Sequence, residues 1–445
     1  MDTPIADFAR LYDASGTARL HMPGHKGKPF LGCEHLDITE ISGADALYEA
    51  EGIIARSEAN AGRLFGSGRT LYSTEGSSQC IGAMLYLALT CRPDGAAPVV
   101  VAARNVHKAF VYAAALLDFE VVWLWPEGGS RSICGCPVSP DSLEKTLSDL
   151  SAPPAAVYFT SPDYLGGMAD IAALAEVCHR HGTVLAVDNA HGAYLHFLCP
   201  VAHPLDLGAD ICCDSAHKTL PVLTGGAYLQ IGKHAPAGFR ENARAAMALF
   251  GSTSPSYLTL ASLDLCNRYL AEGYPTRLAE TAARLDAVKS RLTNMGWQTE
   301  TSDPLRLTIQ APKGLTGTAM ADRLRQNGME CEYADREFLV LMVTPENSPR
   351  DLERIPAALG KNHMPCTKPS ALPLARGEQV LSIRQALFAP HEMVLAEQAL
   401  GRVCGAPTVS CPPAVPIAVS GERIGGAALE LFRHYGVEQV DVVRE

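Results

Sequence analysis

Lys218 and Asp188 are the residues around which chemistry can be built. Lys218 sits in Asp214-Ser-Ala-His-Lys-Thr219, after an apolar run through Ile211, Cys212 and Cys213 and before Pro221 and Gly225-Gly226. A lysine leaving a buried strand between small hydroxyl residues suits a Schiff base with an aldehyde. The apolar strand disfavours the ammonium, and the adjacent His217 lowers the amine pKa further. Taken alone, the same lysine reads as a surface residue in a turn. Asp188 argues otherwise. It stands where the aliphatic and β-branched run from Thr183 to Val187 stops, at the head of Asp188-Asn-Ala-His191.

That pairing is the signature of a pyridoxal 5'-phosphate (PLP) enzyme. Lys218 would hold the aldehyde, and Asp188 would keep the pyridine nitrogen protonated, so that the ring draws off electrons when a bond at Cα breaks. A phosphate cradle is then required. Leu71-Tyr-Ser-Thr-Glu-Gly-Ser-Ser-Gln79 runs into the apolar segment Cys80–Leu89. A strand, a tight turn at Gly76 and a helix starting at Ser77 or Ser78 make an anion site of backbone N–H groups, hydroxyls and helix dipole. Without the lysine, Ser77 reads as a plain N-cap.

The elements that position these residues alternate. A helix is predicted over 46–66, with Ile53, Ile54, Ala61, Leu64 and Phe65 at helical spacing. Strands follow at 98–102, 120–125, 155–160, 184–188, before Lys218 and at 227–231, with helices at 107–117, 141–150 and 171–181 between them. Runs apolar on both faces and separated by helices predict an α/β fold, a largely parallel sheet covered on both sides. Ligands of such sheets sit at the carboxyl ends of the strands. Gly76-Ser77, Arg104–His107, Ser161–Tyr164, Asp188–His191 and Ser215–Lys218 all fall there. Three regions are expected: an N-terminal arm over 1–45 without sustained periodicity, a cofactor-binding large domain over 46–275, and a smaller α+β domain over 276–445. In the arm, Pro23-Gly24 forces a turn, so His21 and His25 do not share a helical face and a two-histidine metal site is not expected. The arm packs on a neighbouring subunit or closes over an active site.

With 445 residues, 47% of them hydrophobic, the chain can bury a large core. A net charge of −11 argues against a nucleic-acid partner and mildly favours cationic small molecules. No apolar run reaches the roughly twenty residues of a bilayer span, and the N-terminus is not a signal peptide. Fourteen cysteines scattered through apolar segments read as reduced thiols of a cytoplasmic protein. Cys212-Cys213 and Cys134-Gly-Cys136 lack a second ligand pair at zinc spacing, so no metal site is expected.

The segments His21–Gly27, Arg104–Lys108, Thr160–Pro162, Asp188–His191, Ser215–Lys218, Ser252–Tyr257 and Leu381–Pro390 together resemble the Orn/Lys/Arg decarboxylase family, in a short form without an N-terminal receiver-like domain. The resemblance runs from near the N-terminus to the end. It implies the fold-type-I, aspartate-aminotransferase-like architecture of PLP enzymes. It also implies Lys218 as the Schiff-base lysine, Asp188 as partner of the pyridine nitrogen, and His107 stacked on the cofactor ring. Gly76, Ser77, Ser78, Ser215 and His217 are implied as phosphate contacts, with His191 beside the ring. The loop with Ser252 and Thr253 is implied to reach the partner subunit's phosphate, hence a homodimer with shared sites. The implied reaction removes CO2 from arginine, lysine or ornithine, with Lys218 or His217 returning the proton to Cα.

Three departures stand out: Glu75 before the phosphate turn, Asp163 where a small hydroxyl residue is usual, and the proline-rich Cys411–Pro416. Glu75 and Asp163 either hold a cationic substrate tail, or mark altered specificity, or are exposed loop acids. Two alternative readings are carried. One is an aminotransferase or lyase on the same fold, for which Arg384 is the candidate carboxylate clamp; the other is a PLP-binding protein without turnover.

Overall fold

The computed structural model describes residues 1–127, 132–300, 302–365, 372–373, 375–409 and 415–444. Residues 411–414 of the proline-rich segment therefore lie outside the described residues. Seven strands form one sheet: β1 (Arg69–Ser73), β2 (Ala97–Ala103), β3 (Glu120–Leu124), β4 (Pro154–Thr160), β5 (Leu185–Asp188), β6 (Ile211–Asp214) and β7 (Ala227–Ile231). Their order is β1-β7-β6-β5-β4-β2-β3. The pairs β5–β6 and β2–β3 are parallel, while β7 runs antiparallel to both β6 and β1. Every residue of β5 and β6 is buried, which is why both read as unbroken apolar runs.

The helices before, between and after these strands are α1 (Pro4–Ala14), α2 (Ile53–Leu64), α3 (Gly76–Thr90), α4 (Lys108–Leu117), α5 (Pro140–Ser148), α6 (Ile171–Arg180), the single turn α7 (Ala216–Thr219), α8 (Ala237–Leu249), α9 (Tyr257–Ala271) and α10 (Tyr274–Asn294). None among the described residues is long and apolar enough to cross a membrane. The chain divides into two compact units, one of residues 1–97, 155–157 and 171–277, the other of 98–154, 158–170 and 278–445.

In the first unit, the N-terminal segment departs from the expectation of an aperiodic arm. Pro4 opens α1, whose buried face is made of Pro4, Ile5, Ala6 and Ala9. That face is short and rich in small residues, so it leaves little periodicity to read. The amides of Ile5 and Ala6 donate to Asp264 Oδ2 on α9 at 2.8 and 3.0 Å. Asp264 Oδ1 accepts Ser57 Oγ from α2 at 2.5 Å, and Asn267 Nδ2 reaches Tyr72 OH on β1 at 2.8 Å. One buried polar knot thus ties three helices to the sheet edge. The helix expected from residue 46 begins at Ile53. Residues Leu47–Glu49 form a 3-10 turn, and Asp45 Oδ2 accepts the amides of Gly52 and Ile54 where the helix starts.

In the second unit, β8 (Gln298–Glu300), β9 (Arg306–Gln310), β10 (Tyr333–Ala334) and β11 (Phe338–Met342) form an antiparallel sheet in the order β10-β11-β9-β8. Its core, including Leu307, Ile309, Leu339 and Leu341, is closed by α11 (Gly317–Gln326) and α12 (Pro349–Leu359). Ser348 and Asp351 start α12 with a reciprocal capping box. Beyond it lie α13 (Ile383–Leu387) and the pair β12 (His391–Leu395) with β15 (Gln439–Val443), which share a second core with α14 (Gly426–Tyr435).

Candidate active site

The first unit gathers most of the expected groups. Asp188 ends β5, almost wholly buried, and its Oδ1 accepts the Ala190 amide at 3.1 Å and the Cys213 thiol at 3.5 Å. Burial raises the Cys213 thiol pKa well above its ordinary range, so it serves Asp188 as a neutral donor. Beside β5, β6 ends at Asp214 and the chain turns through Ser215 into α7, which carries Lys218. Lys218 Nζ lies 2.8 Å from His191 Nε2, and His191 is itself buried. A neutral His191 with its proton on Nδ1 offers Nε2 as acceptor, so it can hold or take a proton from the amine.

His217, next to Lys218 in sequence, and Lys218 have different partners. His217 Nδ1 donates to the Gly226 carbonyl at 3.0 Å, and the ring at Nζ belongs to His191. Successive residues of a helical turn point about 100° apart, so sequence adjacency does not bring side chains together.

The phosphate turn has the predicted form, with the helix starting at Gly76. Gly76 takes φ +72, its amide donates to Gly225 O at 2.8 Å, and the space where a Cβ would stand is open. No side chain caps the N-terminus of α3. Ser215 Oγ lies 2.8 Å from Ser77 Oγ, which brings two hydroxyls to that end. Ser78 and Glu75 are exposed, as are Ser252 and Thr253 before α9, where Ser252 Oγ accepts the Ser254 amide.

These residues fit pyridoxal 5'-phosphate. An amine and a buried carboxylate end neighbouring parallel strands. An uncapped helix start with two hydroxyls and an open glycine face suits a phosphate. Asn189 Oδ1 and Thr219 Oγ1, next to Asp188 and Lys218 in sequence, are buried without a partner among the described residues.

Beneath them lies a network that sequence reasoning missed. Asp214 accepts Asn189 Nδ2 at 2.5 Å and Gln230 Nε2 at 3.0 Å, and its two oxygens lie 3.2 and 3.3 Å from His203 Nε2. Cys212 Sγ lies 4.0 Å from the same His203 nitrogen. His203, Cys212 and Asp214 are close enough to suggest a metal. Asp214, however, already serves three donors, and burial raises the Cys212 thiol pKa well above the usual range. The donor set is that of a hydrogen-bond network. In the arm, His21 lies 2.7 Å from Tyr12 OH and His25 lies 3.2 Å from Asp37, so the two histidines have separate partners.

The second unit holds the remaining residues. His107 is the N-cap of α4, its Nδ1 accepting the Ala109 amide at 3.2 Å. Just before it, Arg104 makes a bidentate bond to Glu422 at 2.7 Å on both arms and lies over the Trp123 and Trp125 rings. Asp163 Oδ1 accepts the amides of Leu165 and Gly167, so this acid is not a free loop residue. Arg384, the candidate clamp of an aminotransferase, donates to the Ala115 carbonyl at 2.8 Å and joins α13 to α4.

A family model described as Orn/Lys/Arg decarboxylase, major domain, matches residues 12–294. An uncharacterized protein of Bacillus subtilis, YaaO, is 28% identical over 95% of this chain and 92% of its own. An arginine decarboxylase of the same organism is 26% identical over 95% of this chain and 91% of its own. Among solved structures, the Francisella novicida lysine decarboxylase LdcF superposes with a TM-score of 0.83 at 16% identity, over 99% of this chain and 81% of its own. The fold is that of fold-type-I PLP enzymes, with a mostly parallel seven-stranded sheet and smaller C-terminal sheets.

Proposed function

The chain belongs to the Orn/Lys/Arg decarboxylase family of PLP-dependent enzymes, and on that premise we propose that it decarboxylates a basic amino acid, with arginine the first substrate to test. The observation that carries the reading is the contact of Lys218 Nζ with His191 Nε2, in the same unit as the buried carboxylate of Asp188. Arginine comes first because similar proteins spanning nearly the whole chain are named arginine decarboxylases. Arg384, the candidate clamp of an aminotransferase, is bonded to the Ala115 carbonyl.

Bound PLP would supply the electron sink that stabilises the charge left at Cα as CO2 departs. The chain's residues would do the rest. Lys218 would hold the cofactor through Nζ. His191 Nε2 takes a proton from Nζ and so keeps the amine nucleophilic. Asp188, supported by the Ala190 amide and the Cys213 thiol, accepts the pyridine N–H. The α3 N-terminus with Ser77 and Ser215 would bind the phosphate. His191 Nε2 would return that proton to Lys218 Nζ, which would deliver it to Cα in place of the carboxylate. Ser252 and Thr253, exposed on their own subunit, complete the site of a partner in a homodimer.

The test is CO2 release from arginine, lysine and ornithine offered separately to the PLP-loaded protein. Release from one of them, abolished in Lys218→Ala together with the visible cofactor band, is the expected result. A keto acid instead of CO2, or cofactor absorbance without turnover of any substrate, overturns the reading.

A further inference from the structure

A cavity of about 450 Å³ opens in the second unit beside Asp163. Asn105, Glu127, Ser139, Thr160, Asp163 and Asp170 supply its polar lining, and among the described residues no lysine, arginine or histidine lines it. Glu127 is already committed, since it accepts the amide and hydroxyl of Ser139 at the start of α5. Asp163 is not fully occupied by its own loop. Its Oδ1 takes the amides of Leu165 and Gly167, while Oδ2 faces Gly135 and Gly167, where any Cβ would crowd it. Two glycines thus leave that oxygen uncovered by side chains.

The second observation comes from neutral acceptors. Asn105 is 7% exposed and lines the cavity, yet its Oδ1 has no partner among the described residues. Thr160 Oγ1, in the same lining, is also buried and unpartnered. Leaving a buried amide oxygen without a donor is unfavourable, so a donor is the missing part. The complement of a carboxylate oxygen, an amide oxygen and a hydroxyl around one space is a cation that carries several N–H groups.

We propose that this cavity binds the protonated amine or guanidinium group of a basic ligand, with Asp163 as its counter-ion and Asn105 and Thr160 as further acceptors. The ligand's class rests on the reading of the chain as a decarboxylase of basic amino acids. The group is that of a free amine bound within this unit. Arg306 favours the charged form of Asp163, but burial outweighs it. Arg306 donates to the Asp163 and Tyr164 carbonyls, and Arg104 is held by Glu422. Burial pushes the Asp163 carboxyl up to about 6 despite Arg306, so a bound cation gains a charge partner just above that pH.

The test is calorimetric titration of the PLP-loaded protein with agmatine, the amine left when arginine loses CO2, which needs no turnover. Asp163→Asn keeps an acceptor for the Leu165 and Gly167 amides, so the loop survives, and Asn105→Leu removes the amide oxygen without a charge change. Both should weaken agmatine binding, Asp163→Asn by about ten-fold or more, with melting temperature and cofactor absorbance unchanged. Wild-type affinity should fall as pH drops below about 6, and that fall should vanish in Asp163→Asn. Agmatine binding that weakens while the KM for arginine is unmoved is the result expected of a free amine. Absence of agmatine binding to the wild type, or binding that neither variant changes, overturns the proposal. Failure of CO2 release with Asp163-dependent binding intact would instead overturn the decarboxylase reading alone.

Discussion

Glu422 grips Arg104 with both carboxylate oxygens, and both side chains are buried. Two tryptophan rings flank the guanidinium, so the pair is desolvated on every side except through its own bonds. Removing one charge strands the other, which costs about 3–5 kcal/mol for a buried pair. Glu422→Gln should therefore lower the melting temperature strongly, and Arg104→Lys should fail to preserve stability because ammonium cannot match the planar fork. Calorimetric unfolding of the two variants checks this; a shift of less than about 1 kcal/mol in either would mean the pair is not integral to the fold. At this scale the sequence is legible where one residue type carries the chemistry. Lys218, Asp188 and the Gly76 turn stand out for that reason. Asp214, His203 and Asn105 do not, because their significance lies in partners, or in the lack of them, set by distant strands.

Elements are legible where capping and burial agree, and obscured where a polar knot replaces an apolar stripe. The strand β5 and the start of α3 fall within a residue or two of expectation. Helix α1 escapes notice because what docks it is Asp264, far along the chain. Burial pushes the Asp264 carboxyl up to about 6, against the bonds from Ser57, Ala6 and Ile5. A folded-state pKa raised above the unfolded value stabilises fully below about 4, and that contribution is lost as pH rises through about 6. Between pH 7 and 5, wild type should therefore gain about 1 kcal/mol over Asp264→Asn. Parallel denaturant melts at the two pH values measure it, and an equal response in both proteins would contradict the raised pKa.

For the whole molecule, the class of fold follows from strands apolar on both faces with helices between them. What composition cannot supply is assembly. If Ser252 and Thr253 complete a partner's site, each site needs Lys218 from one subunit and the loop from the other. Refolding an equal mixture of Lys218→Ala and a Ser252→Ala/Thr253→Val double variant, each nearly inactive alone, should then recover about a quarter of wild-type activity, as symmetric pairing requires. No recovery would place each site within one chain. The net charge of −11 fits small cationic substrates and sets no geometry.

The Asp264 knot also has a consequence for how the protein is made. The amide of Ile5 and its acceptor are separated by 259 residues. At ribosomal rates of about 5–20 residues per second, α1 waits roughly 13–50 s for its docking site to emerge. Over that interval Ile5 and Ala9 have no α9 to cover them. Nascent chains halted short of Asp264 should therefore recruit holding chaperones to their N-terminal segment and release them once α9 has left the tunnel.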